Sequence, residues 1–492
     1  MVALLLASSC KQEPAKETPQ NTIGKHLLKL ESDIMTPEIL WAFGRLSEVQ
    51  ISPDKSKILY GVNYYSVAED KGNRELFLMD LDGSNQKQIT NTPKSEYSAV
   101  WRPDGKAIGL MTAVSGSMQL WEMDVDGTNP RQISNVEDGI SGFLYSPDMK
   151  SVLFTKEVKI DHAVQKENPD LDKTTGRLMN DLMYRHWDSW VDSFTHIFVA
   201  DYADGKLGEP IDIMNGEAWD APVKPNGGTE QISWTPDSKT IVYASRKLEG
   251  LEYAISTNSD LYSYNLETKE TKNLTDGMKG YDLNPSFSPD GSLLAWESME
   301  RDGYESDKSR LFVLNMATGE KTYFTKDFDQ NANGLSWSAD GKSIYFISDW
   351  HATEEIYRLD IENGQISKIT EGVHDYQTVV DAGDTLIATR VSMSKPAEIY
   401  AVNPVNGEAQ ELSFENKHLL DQLTFGEITK RWVLTTDKKQ MLVWVILPPH
   451  FDENKSYPTL LYCQGGPQGT VSQFWSYRWN FQMMAANDYV IV

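Results

Sequence analysis

The chain has 492 residues, of which 40% are hydrophobic and 11% aromatic, and its formal net charge is −26. This length and composition exclude a disordered chain and a single small domain, because they provide enough apolar side chains for a large core. The charge argues against nucleic acid and anionic membranes as partners, since both would repel the protein. A solvated outer surface accounts for the acidity; the alternative is a local acidic patch that attracts a cationic substrate.

The first ten residues contain an apolar run, then small residues, and end at Cys10. This order is typical of a bacterial lipoprotein signal, in which the cysteine becomes the lipidated first residue of the mature protein. The alternative is an incidental apolar N-terminus, because the run is short and no positive charge precedes it. Residues 11–35 are predicted to form a tether. No stretch approaches the ~18 apolar residues of a membrane span, so we expect membrane attachment only through a lipid on Cys10. We also expect the protein to be periplasmic or located at the cell surface.

A helix is predicted to start at Thr36, which can act as an N-cap with Pro37 in the first helical position. A turn of the Ser-Pro-Asp-Gly-Lys type then recurs along the chain, at residues 52–55, 102–106, 146–148, 235–237, 288–291 and 338–342. An aromatic residue precedes most copies and an apolar strand follows. Asp in such a turn bonds its own backbone, so these carboxylates are predicted to be structural. Repetition of short strands at this spacing predicts a β-propeller.

A second repeated segment has alternating apolar residues and in most copies ends in a tight turn. Such a pattern is a strong hairpin signal. Copies occur at residues 76–83, 120–127, 197–201, 261–265, 311–315, 356–360 and 399–403. The seven copies predict seven blades over residues 36–425. In the seventh blade Ala382-Gly383-Asp384 replaces the Pro-Asp turn.

One blade contains an insertion, at about residues 156–195. Residues 176–184 are predicted to form a short helix. This segment ends at Tyr184 and continues with Arg185, Trp187 and Asp188, and an exposed loop with such side chains suits contact with a ligand. The alternative is that the aromatic side chains cap the core of a blade.

The pattern changes at about residue 426. Residues 431–449 read as a hairpin, 459–463 as a buried strand, 464–469 as a glycine-rich loop, 475–486 as a helix and 489–492 as a strand. This order is typical of the beginning of an α/β-hydrolase domain, in which the loop after the third strand donates a backbone N–H to the oxyanion hole. The predicted oxyanion loop consists of Gln464, Gly465 and Gly466. The predicted fold is therefore all-β: a seven-bladed β-propeller followed by the first elements of an α/β-hydrolase domain.

Residues 36–492 resemble the prolyl oligopeptidase superfamily of serine peptidases, and most closely its dipeptidyl peptidase and acylaminoacyl-peptidase-like branch. The most specific stretches are Tyr-Cys-Gln-Gly-Gly-Pro-Gln-Gly at residues 462–469 and Phe-Trp-Ser-Tyr-Arg-Trp-Asn at residues 474–480. Many members of the family have His where Gln464 stands. The resemblance implies a Ser-Asp-His triad in the hydrolase domain, a propeller that restricts access to short peptides, and no cofactor.

The family resemblance also implies that dipeptidyl members hold the substrate's free amino group with carboxylates from the propeller side. A buried ammonium needs a paired charge. Glu230, which precedes a predicted inner strand, and Asp188 are the candidates for this contact, and their alternative role is structural or solvated. Tyr184, Arg185 and Trp187 are further candidates for a substrate subsite.

The 492 residues contain no Gly-x-Ser-x-Gly motif, so we expect the triad to lie beyond Val492 and the chain alone to be inactive. The sequence ends inside an apolar strand, and we expect the hydrolase domain to be truncated before its nucleophile. The eight histidines form no motif, and no metal or nucleotide motif is present. Two functions remain open: a secreted serine exopeptidase that releases dipeptides or acylated residues, and a non-catalytic periplasmic propeller that binds a partner.

Overall fold

The computed structural model describes residues 23–186, 188–465 and 469–492. The predictions for Cys10, Trp187 and Gly466 lie outside these ranges. The described residues form mostly β-strands and four short α-helices: α1 (Pro37–Ala42), α2 (Gly250–Ile255), α3 (Lys417–Leu420) and α4 (Phe481–Ala485). Helix α1 begins as predicted, since the Thr36 hydroxyl accepts a hydrogen bond from Ile39 N at 3.4 Å. None of the described helices has the length and apolarity needed to cross a membrane.

Consecutive antiparallel units of four strands, or five in the third, make up the first part of the structure and are here called blades; a single parallel pairing between Glu354 and Asp375 joins the sixth and seventh into one sheet. Blade 1 contains β1 (Arg45–Ile51), β2 (Lys57–Ser66), β3 (Lys71–Asp80) and β4 (Lys87–Gln88). Blade 2 contains β5 (Tyr97–Trp101), β6 (Ala107–Thr112), β7 (Gln119–Asp124) and β8 (Arg131–Gln132). Blade 3 contains β9 (Gly142–Tyr145), β10 (Ser151–Lys159), β13 (Ser193–Ala203), β14 (Lys206–Leu207) and β15 (Ile211–Asp212), with the small hairpin β11 (Arg185–His186) and β12 (Ser189–Trp190) in its insertion.

The same arrangement continues through the next four blades. Blade 4 contains β16 (Ile232–Trp234), β17 (Thr240–Ser245), β18 (Asp260–Asn265) and β19 (Thr271–Asn273). Blade 5 contains β20 (Asp282–Phe287), β21 (Leu293–Ser298), β22 (Arg310–Asn315) and β23 (Lys321–Tyr323). Blade 6 contains β24 (Asn333–Trp337), β25 (Ser343–Trp350), β26 (Thr353–Asp360) and β27 (Ile366–Lys368), and blade 7 contains β28 (Asp375–Asp381), β29 (Leu386–Ser392), β30 (Lys395–Val402) and β31 (Ala409–Glu411).

The first and seventh blades pack against each other, as a closed ring of blades requires. Tyr60 and Val62 of blade 1 share one buried apolar cluster with Ile387 and Ile399 of blade 7. Lys55 also forms a 3.2 Å ion pair with Asp381 across this junction. Every blade is built from strands that are contiguous in sequence, so side-chain packing holds the two ends of the ring together.

The recurring Pro-Asp turns join the first and second strands of their blades. In blade 1 the Asp54 carboxylate accepts a hydrogen bond from the Ser52 hydroxyl at 2.6 Å and from Ser56 N at 3.0 Å. These bonds lower the pKa of Asp54. The carboxylate therefore stabilises the turn that brings the two strands together.

A second repeated contact joins the third strand of a blade to the residues that follow the fourth strand. In blade 1 the Thr90 hydroxyl accepts a hydrogen bond from Leu76 N and donates one to the buried Glu75 carboxylate, both at 2.8 Å. The contact satisfies a buried donor and a buried acceptor with one side chain. Equivalent pairs join Ser134 to Gln119, Thr275 to Asp260, Thr370 to Glu355, and Ser413 to Glu398.

Residues 426–492 form a separate small sheet, here called the C-terminal unit. Its strands are β32 (Ile428–Leu434), β33 (Gln440–Ile446), β34 (Thr459–Leu460) and β35 (Val490–Ile491), in the spatial order β32-β33-β35-β34. Strands β32 and β33 form the predicted hairpin, while β34 pairs parallel to β35. Helix α4 packs its Phe481 and Ala485 against Trp444 and Ile491 of the sheet.

Three predictions of local structure are wrong. Residues 176–184 form no helix, because the Asp181 carboxylate binds Leu182 N at 2.7 Å and offers the backbone a non-helical partner. The helix predicted over residues 475–486 covers only α4, since the Asn480 side chain caps Met483 N. The strand predicted over residues 459–463 is short and exposed, because β34 lies at the edge of its sheet.

Candidate functional site

The candidate site lies on one face of the ring of blades. Because successive strands of a blade run antiparallel, the connections between second and third strands all emerge on the same side, here called the hairpin face. This face carries the insertion of blade 3, the segment with α2 in blade 4, and the tight hairpins of blades 6 and 7. The C-terminal unit packs on the same face.

Polar contacts fix the C-terminal unit to the hairpins of blades 6 and 7. Lys430 Nζ donates to His351 O at 3.0 Å, and Gln482 Nε2 donates to Ser394 Oγ at 2.9 Å. Met393, at the tip of the blade 7 hairpin, is buried with Trp444 and Phe481 in one cluster. The unit is therefore seated on the ring by both apolar and polar contacts.

Arg45, which stacks on aromatic rings, makes the contact between the C-terminal unit and blade 1. The guanidinium of Arg45 lies 4.0 Å from the ring centroids of both Tyr65 and Tyr477, and 4.8 Å from that of Trp41. Such cation–π contacts gain strength when they are shielded from water. Burial lowers the pKa of Arg45, and the two tyrosines partly offset this effect.

The loop predicted to contact an oxyanion starts directly after β34. Tyr462 Oη donates to Gln464 Oε1 at 2.8 Å, which orients the Gln464 side chain. Among the described residues, and apart from its neighbours in the chain, no atom lies within 4 Å of the position that a Cβ on Gly465 would occupy. Packing therefore does not require glycine at this position, and the backbone of Gly465 is open to an approaching ligand. A cavity of about 650 Å³, lined partly by Gln464 and Trp444, adjoins the loop.

Three carboxylates of blades 6 and 7 lie close to the end of this loop, and the sequence did not point to them. Asp349 Oδ2 accepts a hydrogen bond from Thr470 Oγ1 at 3.3 Å, and Asp375 Oδ1 accepts one from Glu354 N at 3.0 Å. Burial and the carboxylates of Asp375 and Asp349 raise the pKa of Glu354 to about 7. The sequence pattern predicts the tight hairpin that contains Asp349. It does not predict that this hairpin lies beside residue 470, because that position depends on tertiary packing.

Glu230 lies in a short 3-10 turn, Thr229–Gln231, directly before β16. Its carboxylate accepts a hydrogen bond from Gly228 N at 2.6 Å and is exposed. Burial raises the pKa of nearby Glu297 to about 7, although hydrogen bonds from Gly334 N and Asn284 lower it in part and Glu230 adds a smaller increase. Glu230 and Glu297 thus form a pair of carboxylates contributed by two neighbouring blades.

Of the substrate-contact candidates in the insertion, those that the structure describes come together at the hairpin of β11 and β12. Arg185 Nη2 donates to Asp188 O at 2.7 Å, and its guanidinium lies 5.0 Å from the ring centroid of Trp190. The ring of Tyr184 is 6.2 Å from that of Trp190. These side chains are largely exposed, so they do not cap the core of a blade. The described contacts do not bring Glu230 into this group.

Comparison with known proteins agrees with this architecture. The model of the TolB beta propeller domain family matches residues 49–236 and 231–418. Dipeptidyl-peptidase 5 of Porphyromonas gingivalis is 49% identical over 492 residues, which cover all of this chain and 70% of that protein. Dipeptidyl-peptidase 5 of Porphyromonas endodontalis is 46% identical over 462 residues, which cover 94% of this chain and 67% of that protein.

The chain belongs to the dipeptidyl-peptidase 5 family of the prolyl oligopeptidase superfamily. It spans about two thirds of the length of these family members.

Solved structures show the same fold at lower identity. The acylaminoacyl peptidase of Pyrococcus horikoshii aligns with a TM-score of 0.72 at 18% identity, covering 94% of this chain and 66% of that one. A puromycin-hydrolyzing peptidase of Mycobacterium tuberculosis aligns with a TM-score of 0.66 at 12% identity, covering 94% and 67%. These likenesses show the fold, in which the propeller region has the mostly β architecture that the sequence predicted. The relation to serine peptidases rests on the dipeptidyl-peptidase 5 relatives.

Proposed function

We propose that the protein acts as a serine exopeptidase of the prolyl oligopeptidase type, which releases dipeptides or acylated residues from short peptides. The observation that carries the proposal is the 49% identity to a dipeptidyl-peptidase 5 over the full chain. The ring of blades would gate access to the active site. The N-terminal prediction adds that the protein is a periplasmic or cell-surface lipoprotein anchored through Cys10.

We infer that the C-terminal unit is the beginning of the α/β-hydrolase domain. Its strand order, with β35 between β33 and β34 and a helix between the two parallel strands, supports this. The loop follows β34 directly, and in such domains the loop after the third strand donates a backbone N–H to the oxyanion, which supports the assignment. In this proposal Gly465 supplies that donor, with Gln464 and Gly466 beside it.

The catalytic triad would come from residues outside these 492, because no Gly-x-Ser-x-Gly motif occurs in them. The substrate's amino group would be held by a carboxylate of the hairpin face, with Glu230 and Asp188 as the candidates. Both are exposed in the described structure and free to approach a peptide. Tyr184, Arg185 and Trp187 would contact the rest of the substrate.

The proposal is tested by joining residues 1–492 to the part of the P. gingivalis relative that follows its aligned region. This chimera is expected to release dipeptides from chromogenic dipeptidyl substrates and to be inhibited by a serine-directed phosphonate. The 492-residue chain alone is expected to show no such activity. A folded chimera without activity, or phosphonate-sensitive cleavage by the chain alone, would contradict the proposal.

The second candidate is a periplasmic propeller that binds a partner without catalysis. The C-terminal unit argues against it, because a ring of blades is complete without this additional sheet. The two candidates differ in the chimera assay, since a binding module would gain no peptidase activity from the added segment.

A further inference from the structure

A second cavity lies on the hairpin face, between the insertion of blade 3 and the α2 segment of blade 4. Its volume is about 310 Å³, which is at the lower end of the range for small-ligand pockets. The walls are mainly apolar and include Met179, Met183, Phe194, Trp219 and Tyr253. A space of this size and lining suits one large apolar side chain.

Hydrogen bonds hold the walls of the cavity in place. Asp181 Oδ2, in the insertion, accepts a hydrogen bond from Gly250 N of the α2 segment at 3.2 Å. Trp219 Nε1 donates to Leu248 O at 2.8 Å, which fixes the indole beside that segment. The cavity is therefore bounded by three chain segments that are linked to one another.

The polar residues that line the cavity carry an excess of negative charge. Four carboxylates, one ammonium and one imidazole contribute to the lining, and they belong to Asp161, Glu167, Asp181, Glu249, Lys166 and His162. Glu249 is exposed at the start of α2, where its side chain makes no capping hydrogen bond. This distribution favours a ligand with positive charge next to its apolar part.

We propose that this cavity binds an apolar side chain of a peptide that carries Lys or Arg beside that side chain. The apolar group would fill the space between Met179, Met183 and Trp219, and the basic neighbours would lie against the carboxylates. The inference deepens the proposed function, on which the choice of a peptide as ligand rests. It assigns a side-chain subsite that is separate from the oxyanion loop and requires no free amino terminus.

The test uses methyl-¹³C-methionine NMR on the 492-residue chain, because two of its 17 methionines line the cavity. The signals are assigned with Met179→Leu and Met183→Leu. Three peptides blocked at both ends are compared: acetyl-Lys-Phe-Lys-amide, acetyl-Glu-Phe-Glu-amide and acetyl-Lys-Ala-Lys-amide. The first is expected to shift both signals and to bind about tenfold or more tightly than each of the others, since it alone has both the large apolar group and positive charge.

Two variants and a matched control locate the binding. Ala218→Trp, which fills the cavity, is expected to abolish the shifts, and Glu249→Lys to weaken binding about tenfold at low salt. Glu267→Lys makes the same charge change on the opposite face, in the exposed turn after β18, and is expected to have little effect.

Absence of shifts at Met179 and Met183, or equal binding of the acidic peptide, would overturn the inference. An equal effect of the Glu249 and Glu267 changes would also overturn it. The measurement needs no turnover, so its failure is distinguishable from an inactive chimera, which would instead contradict the proposed peptidase function.

Discussion

Replacing Asp282 by Asn is expected to stabilise the protein at neutral pH and to change the pH dependence of its stability. Asp282 is fully buried at the start of β20. One carboxylate oxygen accepts a hydrogen bond from Trp296 Nε1 at 2.8 Å, while Oδ2 has no hydrogen-bond partner among the described residues. Burial raises the pKa of Asp282 to about 7, against an ordinary value of 3.8, although the side chains of Ser298 and Trp296 lower it in part.

The size of the effect follows from this pKa. Between 3.8 and about 7 the folded state binds the proton more tightly than the unfolded state, so the free energy of unfolding falls as the pH rises through this window and is constant above it. At about 1.4 kcal/mol per pKa unit, with the slope levelling off near pH 7, Asp282 accounts for a loss of about 2 kcal/mol between pH 5 and pH 7 and about 3 kcal/mol by pH 8. Asn stays neutral and can keep the bond from Trp296, so this loss should disappear in the variant.

The assay is urea unfolding of wild type, Asp282→Asn and the exposed control Glu267→Gln, followed by tryptophan fluorescence from pH 5 to pH 8. The stability gained by Asp282→Asn should be small at pH 5 and should grow by about 3 kcal/mol by pH 8. The control should follow wild type. Parallel pH profiles for wild type and Asp282→Asn, or a variant that is less stable at pH 8, would refute the reasoning.

Three further changes test other features. Thr370→Val should lower the free energy of unfolding by about 2–4 kcal/mol in urea, because it leaves Ile356 N without its acceptor and removes one of the donors to the buried Glu355 carboxylate, which keeps the bond from Gly372 N. Arg45→Met should increase hydrogen exchange in α4 and around Tyr477 by about tenfold, since it removes a stacked cation that seats the C-terminal unit; unchanged exchange would contradict that role. Gly465→Pro, which removes the backbone donor, should lower kcat/KM of the chimera about 10²-fold or more while its circular dichroism stays unchanged.

The ring of blades could be predicted from the sequence because its signals are local. The hydrogen bonds that close the turn at Asp54 lie within five residues of the chain. Each copy of the turn motif therefore predicts the hairpin in which it occurs. The cap at Thr36 is equally local. The helix predicted over residues 176–184 was wrong, and the cause is also local: the Asp181 carboxylate accepts a hydrogen bond from Leu182 N and so competes with helical hydrogen bonding.

The candidate site was less predictable because its parts meet only in the folded chain. Asp349 meets Thr470 across 121 positions. The two residues share no sequence motif. The cavity between the insertion and α2 likewise depends on how two blades are placed side by side. Sequence patterns identify the strands, whereas the packing of blades decides which side chains become neighbours.

The junction between blades 1 and 7 has a consequence for biosynthesis. Tyr60 and its apolar neighbours are covered by Ile399, which leaves the ribosome more than 300 residues later. At 5–20 residues per second, this interval lasts roughly half a minute. During that time one side of the first blade exposes apolar side chains to water. We therefore expect chaperone binding to the nascent chain to matter most before the last blade has been synthesised.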